Sequence, residues 1–266
     1  MLLRKRFYLW LTILALLLFP LTWILSHSIL PAAEIPSRLG MTSLWTILIL
    51  GGLGVLSLPI IDWKRRKGSD AIFLLLWVWG TFLFSILNWT INGRSVLPMV
   101  PAVAILLLRQ IEFARPNAKL RLNWFFGIAA LLSLMVSLAD YRLANCARLA
   151  VTTIRSQLGN ASSTPWFQGH WGFQYYAEAN GWRAFDLTTR QTNSGDLIIL
   201  PFNNTNLKLI PDSEVEPVAV FELPVLPGIA TMNQAVGAGF YMNLLGPLPF
   251  AFGQVPRERY YILRFK

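Results

Sequence analysis

Cysteine, histidine and charge are all scarce in this chain. A single cysteine, Cys146, excludes a disulfide framework and any cysteine-based zinc site within one chain. Two histidines, His27 and His170, leave no histidine-rich metal cluster. Charged residues make up 14% of the 266 positions, where a soluble domain carries about a quarter. That shortage argues against an ordinary water-soluble enzyme, and the high apolar content excludes a disordered chain. Hydrophobic residues account for 55% of the sequence, with a mean hydropathy of +0.49. This is the composition of a membrane protein.

Four long apolar windows stand out, at Phe7–Leu25, Met41–Ile61, Ala71–Gly93 and Leu122–Ala139. Each supplies the roughly 20 residues that a helix needs to cross about 30 Å of hydrocarbon. A fifth, Ser95–Leu108, is shorter and carries Pro98 and Pro101. Charge decides its status. The segments after the second window (Lys64, Arg65, Arg66, Lys67) and after the fifth (Arg109, Arg115, Lys119, Arg121) are both basic, as is Arg4-Lys5-Arg6. Basic loops favour the cytoplasmic side, so the short window must span as well. The outer loops hold only Arg38 and Arg94, and beyond Asp140 acids and bases nearly balance. The net charge of +10 is therefore an orientation signal, and no basic stripe marks nucleic acid. A cleaved signal peptide is disfavoured, because the first apolar core exceeds the roughly 7–15 residues of such segments.

The expected fold is an α-helical polytopic membrane bundle of about five spans followed by a small extracytoplasmic α/β domain. The spans fall at about 7–25, 41–61, 71–91, 94–110 and 122–139, with the bundle at 1–139 and the outer domain at 140–266. The N-terminus faces the cytoplasm of a bacterial inner (plasma) membrane. Leu143, Ala147, Val151, Ile154 and Leu158 share one helical face, with Gly159 placed to end that helix. Strands are expected at 165–168, 183–187, 196–201, 217–223 and 259–265, and a helix near 173–180. From Leu223 to Pro256 there is no charge, but five prolines and five glycines. Such a stretch suits an irregular apolar loop on the membrane face or the bundle better than a sixth span.

The sequence has no Walker loop, GxGxxG after a strand, HExxH or GxSxG. Gly51-Gly52-Leu53-Gly54 reads as a helix-packing patch. Asn88-Trp-Thr90, Asn160-Ala-Ser162 and Asn203-Asn-Thr205 match a glycosylation tripeptide that is common by chance. Three clusters could carry chemistry. Arg94 opens the proline-bearing span, either binding a lipid phosphate through its planar fork or snorkelling at the boundary. Gly169-His170-Trp171-Gly172 marks a strand-to-helix junction, with Tyr176 beyond; its aromatics either stack on a sugar or form a small core. Tyr241, in the charge-free stretch, lies in a membrane-resting loop or an acceptor groove.

The segment Arg94-Ser-Val-Leu-Pro98-Met-Val-Pro101 resembles the R-x-x-L-P-x-x-P motif of family 39-like GT-C glycosyltransferases, relatives of the protein O-mannosyltransferases and the aminoarabinose transferase. The tail, with Gly169–Tyr176 and Gly246-Pro-Leu-Pro249 through Arg257-Glu-Arg-Tyr-Tyr261, is similar to the C-terminal end of bacterial members. The resemblance implies a membrane enzyme that transfers a sugar from a polyprenyl-phosphate donor to an extracytoplasmic acceptor. It places Arg94 against the lipid phosphate and leaves His170, Trp171, Tyr176 and Tyr241 as candidate groove residues. No cofactor is expected, and the sequence offers no convincing set of metal ligands, which leaves a metal requirement open. The family's acidic first outer loop has no counterpart beyond Glu34 in Leu30-Pro-Ala-Ala-Glu34-Ile-Pro36, so the chain resembles the C-terminal half alone. The expected partners are membrane lipid, the polyprenyl-phosphate sugar and a separate N-terminal-half protein. The rival reading is a non-catalytic membrane subunit whose outer domain binds a partner protein or an envelope glycan. A transporter is disfavoured, because no acid or histidine falls inside an expected span.

Overall fold

A computed structural model describes residues 2–29, 35–88, 93–114, 119–158, 164–186 and 191–266. Its helices are α1 (Leu2–Ile29), α2 (Ile35–Arg66), α3 (Ser69–Leu87), α4 (Val100–Ala114), α5 (Lys119–Leu158) and α6 (Trp171–Ala179). Four segments are long and apolar enough to cross a membrane: Arg38–Arg66, Ser69–Leu87, Gly93–Phe113 and Trp124–Leu158. Within α1 the apolar stretch described is Thr12–Ser28, which is shorter. These helices and a small sheet make a multi-pass helical bundle followed by an α/β layer. Packing divides the chain into two units. One holds Met1–Val136 with Gly228–Gln254, and the other holds Ser137–Pro227 with Val255–Lys266. The division differs from a single cut at 139/140, because most of the charge-free stretch packs with the bundle.

In the first unit, α2 packs against α1, α3 and α4. The α1–α2 seam is lined by hydroxyls: Thr22 and Thr46 meet at 2.9 Å, and Thr42 donates to Ser26 at 3.4 Å. Small hydroxylated residues let two helices approach closely and bond where lipid offers no partner. At the far end, Arg109 of α4 bridges Asp62 of α2 (2.8 Å) and Asp70 of α3 (2.7 Å), while Arg66 reaches Asp62 at 3.2 Å. The helices thus run further than the apolar windows, and α2 includes a buried acid, Asp62, against the expectation of acid-free spans. The Gly51–Gly54 patch does not pack as expected; these glycines are exposed, with open space where a Cβ would stand.

The proline-bearing span begins as a 3-10 helix, Gly93–Met99, that hands over to α4. Pro98 lacks an N–H, but its carbonyl accepts from Trp77 Nε1 at 2.9 Å, and Ser95 accepts from Ser85 Oγ at 2.9 Å. α3 thereby satisfies carbonyls that an irregular helix leaves open.

The second unit is a five-stranded sheet in the order β2-β1-β3-β9-β4, with β1 (Trp166–Phe167), β2 (Arg183–Ala184), β3 (Leu197–Pro201), β4 (Val215–Leu223) and β9 (Glu258–Phe265). The strands β1, β2 and β3 are parallel; β9 runs antiparallel to β3 and β4. The chain leaves β1, forms α6, returns as β2 on one side, and then crosses to β3 on the other. β4 lies at the edge, where Pro217 removes no needed donor and a bulge follows. Glu222 and Glu216 stand opposite Arg259 and Arg264, pairing at 2.9 and 3.2 Å. One sheet face packs Phe167, Ile199, Tyr260 and Ile262 against Val151 and Ile154 of α5 and Phe173 of α6. The other gathers Trp166, Ile198, Ile210, Val215 and Phe265. All five residues expected on one face of the α5 extension are buried or half-buried. Gly159 and Leu187 lie outside the described residues.

Candidate functional site

The charge-free stretch folds into short ladders: β5 (Ile229–Ala230) pairs with β8 (Ala251–Phe252), and β6 (Met232–Asn233) with β7 (Ala238–Gly239). Ile229, Met232, Val236, Leu245 and Leu248 are buried, which explains a charge-free sequence without a sixth helix. It sits where α2 and the Gly93–Met99 helix begin. Gly40 makes room for this approach, since a Cβ there would stand 2.7 Å from the Phe252 carbonyl oxygen. Gly93 donates its N–H to the Phe240 carbonyl at 3.3 Å. Gly239 and Gly246 are packed against backbone where any Cβ would overlap, so the turn around Gly237–Gly246 admits no side chain at either position.

This packing brings together two residues singled out from the sequence. Arg94 is exposed, and its guanidinium carbon lies 5.8 Å from the centroid of the Tyr241 ring. A planar cation over an aromatic face is attracted by the ring's quadrupole. Arg38, now inside α2 rather than in a loop, is buried near the same end of α2 and meets His27 Nε2 at 2.6 Å. The other described acids of this unit, Asp62, Asp70 and Glu112, lie toward the opposite ends of their helices. Glu34 lies outside the described residues.

His170, Trp171 and Tyr176 belong to the second unit and form a different group from Arg94 and Tyr241. His170 and Asn204 hold one another: the His170 N–H donates to Asn204 Oδ1 at 2.7 Å, and Asn204 Nδ2 donates to the His170 carbonyl at 3.3 Å. Gly169 has φ +113 and Trp171 φ +57, the latter a strained setting for a bulky residue. Tyr176 packs half-buried against the core beneath α6. No carboxylate is near His170 in the immediate sequence, yet the helix supplies one. His170 Nδ1 meets Gln174 Oε1 at 2.9 Å, and Gln174 Nε2 donates to Glu178 Oε1 at 2.8 Å.

A residue that sequence reasoning missed is Glu258, the first of β9. It is buried, accepts from Asn203 Nδ2 at 2.8 Å, and burial pushes its carboxyl up to about 7. The signal was present: in the alternating strand Glu258-Arg-Tyr-Tyr-Ile, Glu258 is in phase with the inward-facing Tyr260 and Ile262. Asn203 is consequently buried and committed, so its tripeptide is not an accessible glycosylation acceptor in the fold. Burial likewise raises the Tyr260 hydroxyl. Among the described residues no group of three or more potential metal ligands assembles.

The site and fold define a helical membrane protein with an appended α/β unit. The chain matches no family model, no curated protein and no solved structure.

Proposed function

We propose that this protein binds the phosphate of a polyprenyl-phosphate-linked sugar at the end of its bundle, as the C-terminal portion of a GT-C-like glycosyltransferase. In this reading that end faces the extracytoplasmic side of a bacterial inner membrane. The observation that supports it is Arg94, exposed at the start of an apolar span and stacked over Tyr241 beneath the charge-free 228–254 segment. A guanidinium at the membrane boundary offers several donors to phosphate oxygens, and leaving-group charge on a lipid phosphate needs such a cation. The described carboxylates of the unit gather at its other end, so a general base for transfer comes from elsewhere. A separate N-terminal-half protein is the source this reading favours.

The test is binding of a labelled polyprenyl phosphate to the detergent-solubilised full chain. Arg94→Ala should lower affinity at least tenfold, with Arg94→Lys intermediate. Unchanged binding in Arg94→Ala would remove the phosphate role. A second reading, a non-catalytic membrane subunit, draws on the described carboxylates of the unit lying away from Arg94. Purification in mild detergent should then return a stoichiometric partner, and a lone monomer would count against it.

A further inference from the structure

The outward side of α6 carries two adjoining stripes. Trp171 and Tyr175, one turn apart, are 45% and 68% exposed. Such exposure is unusual for rings in a unit that buries Trp166, Phe167, Phe173 and Trp182 in its own core. Beside them runs the His170–Gln174–Glu178 chain of hydrogen bonds. Trp171 follows the carboxyl end of β1, where α6 begins, and Glu178 lies toward the other end of the helix.

The hydrogen-bond directions select the ligand. Gln174 donates its amide N–H to Glu178, so its oxygen faces His170 Nδ1, which must carry the proton. In the neutral ring His170 Nε2 is then an acceptor, the Glu178 carboxylate accepts, and the Trp171 indole and Tyr175 hydroxyl carry donors. Aromatic faces beside side chains that both accept and donate hydrogen bonds match the C–H faces and hydroxyls of a sugar. We infer that the Trp171–Tyr175 face of α6 binds a neutral saccharide. The Trp171 ring takes the C–H face of a sugar, with Tyr175 extending the platform. Glu178 and His170 Nε2 receive its hydroxyls. Asn204 fixes the His170 backbone, which positions Trp171. The site lies in the second unit and does not rest on the phosphate role of Arg94.

The experiment is isothermal titration of the full chain in mild detergent with cellohexaose and with chitohexaose. One of the two should bind. Trp171→Ala and Tyr175→Ala should each weaken it at least tenfold with far-UV circular dichroism unchanged, Glu178→Gln should weaken it severalfold, and Arg94→Ala should leave it intact. Because Tyr175 is mostly exposed, its variant keeps the test valid if Trp171→Ala fails to fold. Binding of neither sugar, or binding by both alanine variants as tight as the parent's, would overturn the inference. So would a fluorophore at Tyr175→Cys that brominated lipid quenches in proteoliposomes and aqueous iodide does not, which would make the face a membrane anchor.

Discussion

Asn203 Nδ2 donates to Glu258 Oε2 at 2.8 Å inside the second unit, tying the end of β3 to the start of β9. Burial outweighs the hydrogen bonds from the Asn203 side chain and backbone, so the neutral carboxyl is favoured and its value rises from 4.5 to about 7. The unfolded chain ionises this group near its ordinary value. Stability from Glu258 is therefore full below about pH 4.5 and is lost as pH climbs through 7. The loss is on the order of 3 kcal/mol. Glu258→Gln keeps the shape and the acceptor oxygen while removing the titration. The variant should be more stable than the parent at pH 8 and nearly equal to it at pH 4.5, as read by thermal unfolding of the detergent-solubilised chain. Parallel pH profiles for both proteins would refute the assignment.

The Arg109 bridge makes a separate prediction about the bundle. Asp62 is 2% exposed, and Arg109 spans from it to Asp70 across three helices. Removing Arg109 leaves the buried Asp62 carboxylate with the Arg66 contact at 3.2 Å alone, at a cost of up to about 3 kcal/mol. Arg109→Ala should therefore lower the unfolding temperature clearly, and adding Asp62→Asn should recover much of the loss. If the double variant is no better than the single, the charge is not what the site penalises.

Much of the architecture was legible from periodicity. The α5 face at Leu143–Leu158 and the β3 and β9 strands follow from local pattern, because an apolar stripe or an alternation must be buried whichever partner covers it. What covers it is not local. The seating of 228–254 on the bundle depends on Gly40, some two hundred residues away, admitting the Phe252 carbonyl, and no spacing rule connects them. The same limit hid the Glu178 end of the His170 chain, whose link through Gln174 needs helical geometry and a particular amide orientation. The glycine patch at 51–54 failed for the opposite reason: small residues permit a close helix contact but do not supply the second helix.

Trp171 offers a test of backbone strain. Its φ of +57 is a conformation that costs a residue with a Cβ roughly 1–2 kcal/mol and costs glycine little. In an ordinary helix alanine is more stable than glycine; here the order should invert. Trp171→Gly is expected to unfold at a higher temperature than Trp171→Ala, while both lose the exposed ring. Should alanine prove the more stable, the left-handed geometry at the start of α6 is wrong.

Tyr241 tests whether the contact with Arg94 matters to ligand binding. The ring lies 5.8 Å from the guanidinium carbon, at the long end of a cation–π contact, and Arg94 is exposed. Such contacts contribute about 0.5–1 kcal/mol at exposed sites, so Tyr241→Ala should weaken polyprenyl-phosphate binding about two- to fivefold. Tyr241→Phe retains the ring face and should bind nearly as the parent does. Combining Tyr241→Ala with Arg94→Ala should cost less than the sum of the two, because the ring acts through the arginine it orients. Strict additivity would mean that Tyr241 meets the ligand on its own account. An equal loss in Tyr241→Phe would move the contribution from the ring to the hydroxyl.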